Sequence, residues 1–311
     1  MSKIAFIFPG QGSQSVGMGK DLVLNFKLAA QIFEEASDAI GIDLKKLSFE
    51  GPEDELNMTA STQPAILTTS VAALEVLKAE TDIKADFLAG HSLGEYTALV
   101  HGGAFAFADA VRIVRRRGEF MQAAVPGGAG AMAAILGMEK NEVADVCSDA
   151  ESFGLVSAAN FNSPGQIVVS GEKKAVERAV EIAKERGAKR AVMLPVSVPS
   201  HCALMLPAGD LLKEELAKYK IADLGVPVVS NVEASTYLSA GEVSDLLVRQ
   251  LSSPVRWDES VICLKDAGAD TVIEVGPGRV LSGLVKRIDS TFSIKNIEDL
   301  SSLEKLKSAT V

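Results

Sequence analysis

A chain of 311 residues, 47% hydrophobic and 23% charged, has ordinary globular composition and enough length for a large buried core. Its formal net charge of −10 opposes nucleic-acid binding. No apolar stretch reaches membrane-spanning length, and Cys147, Cys202 and Cys263 are too scattered for a disulfide framework or a zinc pattern, so a reducing cytoplasmic setting without metal is expected.

Lys3 to Phe8 reads as a buried strand, its apolar run being too short for a signal peptide. A glycine-rich turn follows, then a helical stretch from about Asp21 to Ile40. A helix from about Gln63 to Lys78 leads to a strand at Asp86 to Ala89. Beyond a second glycine-rich turn, one helix begins near Leu93 and another covers Ala108 to Ala124. This alternation predicts a parallel α/β sheet. Pro126 to Gly130 reads as a hinge.

Past the hinge the order changes. Strand Ala131 to Leu136, helix Lys140 to Ala150, strands Leu155 to Asn160 and Gln166 to Ser170, helix Glu172 to Arg186 and strand Arg190 to Pro195 make βαββαβ. That is the ferredoxin-like arrangement. Helix Leu206 to Tyr219, strand Val226 to Ser230, helix Ala240 to Leu251 and strand Thr271 to Val275 then return to α/β. Gly276-Pro277-Gly278 precedes a last major helix, and Ser308 to Val311 are expected to fray. The predicted organisation is a core of residues 1–127 and 196–311, with 128–195 inserted as a small subdomain.

Gly90-His91-Ser92-Leu93-Gly94 fits the G-x-S-x-G nucleophile elbow and lies between a strand and a helix, as that motif must. Small residues at Gly90 and Gly94 allow the sharp turn that exposes Ser92, and the helix N-terminus offers N–H groups to an oxyanion. Of three histidines, His91 sits inside the elbow and reads as an orienting residue, and His101 as a capping residue near a helix end. His201, C-terminal to the serine, fits the chain order of an α/β-hydrolase base. No acidic residue between Ser92 and His201 declares itself as a third member, which leaves a backbone carbonyl or an amide side chain to orient the imidazole.

On a helical wheel, Phe107, Ala110, Val111, Val114, Gly118 and Met121 form an apolar arc extended by Ile113, while Arg112, Arg115, Arg116 and Glu119 lie opposite. Arg117 falls within the apolar arc and must find a partner there. An internal acid and a substrate carboxylate both satisfy that need. Phe8-Pro9-Gly10-Gln11-Gly12-Ser13-Gln14 is suited to an anion or an oxyanion but is no P-loop, because Met18 stands where lysine is required. Gly276-Pro277-Gly278 fails the dinucleotide fingerprint, its third glycine coming only at Gly283.

Together with Gln63-Pro64-Ala65-Ile66, Glu95, Asn162-Ser163-Pro164-Gly165-Gln166, Ser200-His201, Pro254-Val255-Arg256-Trp257 and Glu274 to Gly278, these motifs resemble the malonyl-coenzyme A:acyl carrier protein transacylase family over nearly the whole chain. The resemblance implies an α/β-hydrolase-like core with an inserted ferredoxin-like subdomain. It implies Ser92 as nucleophile, His201 as base, the N–H groups of Gln11 and Leu93 as oxyanion hole and Arg117 as the malonyl-carboxylate site. Gln250 would orient the histidine through its backbone carbonyl, and Gln63, Met121, Asn160, Asn162 and Val280 would line the cleft. The implied reaction is ping-pong malonyl transfer from coenzyme A to the phosphopantetheine thiol of holo acyl carrier protein, supplying fatty-acid synthesis. No bound cofactor, nucleic acid or membrane is expected, and the protein is expected to be a monomer. The acidic carrier suggests a basic rim from some of Arg115, Arg116, Lys189, Arg190, Lys286 and Arg287. The alternatives are a serine thioesterase or esterase, a polyketide-pathway acyltransferase and a non-catalytic carrier-binding module.

Overall fold

The computed structural model describes residues 3–196 and 198–308. Five strands, β1 (Lys3–Phe8), β2 (Phe87–Gly90), β7 (Val228–Val229), β8 (Ala269–Val275) and β9 (Ser293–Ile297), form one parallel sheet in the order β7-β2-β1-β8-β9. A parallel sheet is covered on both faces, and the period-two alternation of β1 shows how. Phe6 and Phe8 enter the largest apolar cluster, with residues of the helices Thr59–Glu80 and Phe107–Ala124. Ala5 and Ile7 face the opposite layer, against Val255, Trp257, Val261 and Leu281.

The other four strands, β3 (Gly130–Leu136), β4 (Val156–Ser163), β5 (Gln166–Glu172) and β6 (Arg190–Met193), make an antiparallel sheet in the order β4-β5-β3-β6. This is the expected ferredoxin-like βαββαβ topology. Ala131, Ala133 and Ile135 pack under the helices Lys140–Ala150 and Lys173–Glu185. The alternate residue Met132 joins Ala159 and Val168 on the opposite face, with Leu194 and Val196 beside them. The antiparallel sheet is tied to the core where Val255, in the segment between the helices Ala240–Ser252 and Trp257–Asp266, exchanges backbone hydrogen bonds with Ala159 and Phe161 of β4, both 2.9 Å.

Several boundaries differ from expectation for identifiable reasons. The stretch from Asp21 to Ile40 is two helices, Lys20–Asn25 and Lys27–Ile40, because Phe26 is extended (φ −129°). The helix expected from Gln63 begins at Thr59 and runs through Pro64. Proline cannot donate to the carbonyl of Ala60; Arg115 Nη1 donates to that carbonyl instead, at 3.1 Å. The strand expected to reach Pro195 ends at Met193, and the one expected over Val226 to Ser230 is only Val228–Val229. Helices Leu44–Glu50, Trp257–Asp266 and Leu300–Ser308 and strand β9 were not anticipated. Ser308 closes a helix instead of fraying; the rest of that expectation lies outside the described residues.

Candidate active site

The carboxyl ends of β1 and β2 meet in register, Phe8 opposite Gly90, which brings the two glycine-rich turns together. A Cβ on Gly90 would lie 2.0 Å from the Gly94 carbonyl, and one on Gly94 would lie 2.0 Å from the Phe8 carbonyl oxygen. Only glycine allows the elbow to sit this tightly against β1. Ser92 follows β2 at φ 50° and ψ −103°, immediately before the helix Leu93–Gly102. Such a conformation is costly for a non-glycine residue and persists only where its surroundings hold it. Asn231, just past β7, does so on both sides: its Oδ1 accepts the Ser92 N–H at 2.6 Å and its Nδ2 donates to Gly90 O at 2.7 Å.

Ser92 Oγ lies 2.9 Å from His201 Nε2. The other ring nitrogen, Nδ1, is 2.7 Å from the backbone oxygen of Gln250. A carbonyl only accepts, so Nδ1 carries the proton and Nε2 presents its lone pair to the serine. The Gln250 carbonyl thus occupies the place left vacant between Ser92 and His201, from a position beyond both in sequence. Burial first, and then Arg117, pushes the His201 pKa down to about 3, so the imidazole is neutral at physiological pH.

Arg117 is 1% exposed. Its Nη1 donates to Gln63 Oε1 at 2.8 Å, and its Nη2 to Gln250 Oε1 at 2.9 Å and Ser92 Oγ at 3.1 Å. The guanidinium stands 5.4 Å over the Tyr96 ring. It makes no ion pair with any described residue, and its Nε has no hydrogen-bond partner there. The internal acid offered as one explanation of the buried cation is therefore not in contact with it. Glu95, which no sequence reading singled out for a role of its own, lies one amide away, accepting from Gln250 Nε2 at 2.6 Å.

Ser92, His201 and Arg117 open on a cavity of ≈ 210 Å³. Gln11 and Leu93 also border it, as do Met121, Asn160, Asn162 and Val280. Leu93 is the first residue of its helix, where the backbone N–H has no intrahelical acceptor. Met132, Val168, Leu194 and Val196 bring the underside of the antiparallel sheet over the opening. Gln63 is a correction: it is fully buried behind Arg117, held by the guanidinium, and is not on the cavity wall. His91 Nε2 pairs with Asn162 Oδ1 at 2.9 Å, as suits an orienting residue. His101 lies within the last helical turn, its ring stacked on Phe6 at 5.7 Å instead of capping the helix.

The charges expected to form a rim divide. Arg115 and Arg116 pair with Glu119 on the outer face of their helix, and Arg115 also serves the Ala60 carbonyl. Arg287 reaches the cavity border by donating to Gln166 Oε1. Lys189, Arg190 and Lys286 are exposed. Among the described residues no group of three or more His, Cys, Asp or Glu side chains could hold a metal ion.

Asn231 was missed by the sequence reading. Its only signal was its place just beyond the carboxyl end of a parallel strand, where α/β folds gather their sites.

The acyl transferase domain family matches residues 5–309 of the chain. The sequence is 52% identical over 305 residues to the malonyl CoA-acyl carrier protein transacylase of Bacillus subtilis, covering 98% of this chain and 96% of that protein. It is 50% identical over 303 residues to the Escherichia coli protein of the same name, covering 97% and 98% respectively. A solved structure of a malonyl-transacylase in complex with its type II polyketide synthase acyl-carrier protein matches with a TM-score of 0.97 and 47% identity, over 99% of this chain and 100% of that one.

Proposed function

The chain belongs to the malonyl CoA-acyl carrier protein transacylases of the acyl transferase domain family, and on that premise we propose how its cleft moves the malonyl group. The enzyme is an acyl-carrier-protein S-malonyltransferase: the group passes from coenzyme A to Ser92 and then to the phosphopantetheine thiol of holo acyl carrier protein. The cleft lies between the unit of residues 128–195 and that of residues 1–127 with 196–311.

His201 Nε2 takes the proton of Ser92 Oγ as the oxygen attacks the thioester carbonyl. The N–H groups of Gln11 and Leu93 receive the oxyanion, a contribution of roughly 3–4 kcal/mol for an important donor. When the tetrahedral intermediate collapses, the C–S bond breaks and His201 returns the proton to the departing coenzyme A thiolate. The carrier thiol then gives its proton to His201 and attacks the malonyl-Ser92 ester; Ser92 leaves and recovers its proton. Through both steps the Gln250 carbonyl keeps Nδ1 protonated and the ring in place.

The observation that carries the reading is the buried guanidinium 3.1 Å from Ser92 Oγ, paired with no carboxylate among the described residues. In a malonyl ester one methylene separates the ester carbonyl from the carboxylate, so the carboxylate reaches Arg117 while the carbonyl is on Ser92. Arginine's planar fork suits such a partner. Fixing it holds the acyl group in the cleft and favours transfer to a thiol over attack by water.

The same reading makes the protein a cytoplasmic monomer supplying extender units for fatty-acid synthesis. Both thiols arrive as substrates, so no resident cofactor is required. The cytoplasmic setting is supported by the three free cysteines. Lys189, Arg190, Lys286 and Arg287 would meet the acidic carrier around the cleft.

Incubation with malonyl-CoA, followed by intact-mass measurement, should show one malonyl increment that Ser92→Ala abolishes. Addition of holo carrier should move that increment to its thiol. Release of free malonate with no malonyl-carrier would make the protein a thioesterase, and failure to form the adduct would leave a carrier-binding module.

A further inference from the structure

Glu95 has no task in the transfer chemistry, yet it is 1% exposed and sits in the first turn of the helix behind Ser92. Its Oε1 accepts from the Tyr237 hydroxyl. Its Oε2 accepts from Gln250 Nε2 at 2.6 Å and from the Asn231 backbone N–H at 3.2 Å. Glu95 therefore fixes which way the Gln250 amide faces: with the nitrogen committed to the carboxyl, the oxygen is turned to Arg117 Nη2. The result is a buried chain from Glu95 through Gln250 to Arg117, ending at Ser92 Oγ.

A carboxylate touching Arg117 directly would have to be displaced before a substrate carboxylate could bind. Set one amide away, it offsets the buried cation while leaving guanidinium N–H groups free for an acyl chain.

We propose that Glu95 is a positioning residue that sets the preference for charged acyl groups, holding Arg117 through Gln250 while its own charge opposes the carboxylate Arg117 receives. The proposal rests on the reading of Arg117 as the acyl-carboxylate site. Desolvation, only partly offset by the hydrogen bonds from Tyr237, Gln250 and Asn231 and by the attraction of Arg117, pushes the Glu95 pKa up to about 7. The titratable groups around it are Arg117 from the Phe107–Ala124 helix, Tyr237 from the segment after β7 and Tyr96 on its own helix. The helices Thr59–Glu80 and Ala240–Ser252 contribute the neutral amides Gln63 and Gln250. His201 stays uncharged through this range.

Glu95 is thus neutral below about pH 7, leaving the site cationic, and ionised above it, leaving the site nearly uncharged. A malonyl carboxylate binds better to the first form. Half-saturation of Ser92 loading by malonyl-CoA should rise with pH, and that by acetyl-CoA should not.

The test is single-turnover loading of the full chain, read by intact mass, from about pH 6 to about pH 8.5. The wild type should show a rise of roughly five- to tenfold for malonyl-CoA, the size of a unit charge acting across an amide and a guanidinium, and a flat profile for acetyl-CoA. In Glu95→Gln the amide oxygen can accept from Gln250 and Asn231 and the nitrogen can donate to Tyr237. The geometry is kept, and the malonyl half-saturation should stay at its low-pH value throughout. A malonyl rise that survives in Glu95→Gln, a flat wild-type malonyl profile, or an equal rise with acetyl-CoA overturns the proposal. Should the variant not fold, the two wild-type profiles still decide. Arg117→Ala separates the two levels: if it abolishes the malonyl preference while the wild-type profile is flat, only the role of Glu95 fails. If it leaves the preference intact, the reading of Arg117 fails.

Discussion

Arg117→Ala removes a cation whose whole side chain is buried and whose three hydrogen bonds reach Gln63, Gln250 and Ser92. Two effects follow, and they separate by substrate. Every acyl group meets a site in which Gln63 Oε1 and Gln250 Oε1 have lost a charged donor, at a cost of about 1–3 kcal/mol for a group left unsatisfied. Relief of a buried cation with an unpartnered Nε offsets part of that stability loss. Only an acyl group bearing a carboxylate also loses its ion pair. Breaking a buried pair costs about 3–5 kcal/mol, and the lower part of that range applies here because water can enter the cavity in place of the side chain. The malonyl-specific loss is therefore about 3–4 kcal/mol, or roughly 10²–10³-fold in kcat/KM. The assay is loading of Ser92 followed by transfer to holo carrier, with malonyl-CoA and acetyl-CoA run on the same preparation. The expected result is a collapse of the malonyl-to-acetyl ratio by that factor, with Arg117→Lys in between because it keeps charge and loses the fork. A folded Arg117→Ala protein with an unchanged ratio would refute the assignment.

Gln250→Ala should distinguish the two functions of that residue. The backbone carbonyl that holds His201 survives, while the side-chain bridge between Glu95 and Arg117 is lost, together with the bond from Gln250 Nε2 to the Ser92 carbonyl oxygen at 3.1 Å; malonyl loading should fall roughly tenfold more than acetyl loading, and equal losses would show the side chain acting mainly through Ser92. Because His201 is held well below its ordinary pKa, at about 3, loading at saturating acetyl-CoA should stay level from about pH 8 to about pH 5. A halving near about pH 6.5 would contradict this. The same depression favours the folded state fully above the ordinary histidine value. That stability is lost as pH falls toward about 3, by up to about 1.4 kcal/mol per pH unit, which urea titrations across the range would detect. Gly94→Ala should cost about 3 kcal/mol or more, since its methyl would meet the Phe8 carbonyl oxygen at 2.0 Å; a melting temperature close to wild type would show that the elbow can move off β1.

What could be read in advance was whatever depends on neighbours in sequence. The strand β1 and the elbow are local patterns, an apolar run and a G-x-S-x-G turn leading into a helix. The burial of Arg117 followed from its phase among Val114, Gly118 and Met121, because a helix face carries its environment in its own periodicity. The βαββαβ order was legible for the same reason. Periodicity is silent on what lies opposite the buried face. Ser92 and Asn231 are 139 residues apart, and Ser92 and Gln250 are 158 apart. Neither partner has a local pattern that names its target.

The chain by itself therefore determined that a strained serine and a buried cation exist, each dictated by the backbone or helix phase around it. Only tertiary structure decided that they face each other across 3.1 Å and that a main-chain oxygen orients the base. It also decided that the counter-charge stands off behind an amide. The same limit applied to the fold. The expected helix placed Pro64 in its first turn, and nothing local showed that the helix begins at Thr59 and runs through the proline, because the acceptor Pro64 leaves unpaired is satisfied by Arg115 from another helix. Hydrogen bonds and charges are settled by proximity in space, and that information is absent until the two sheets are packed.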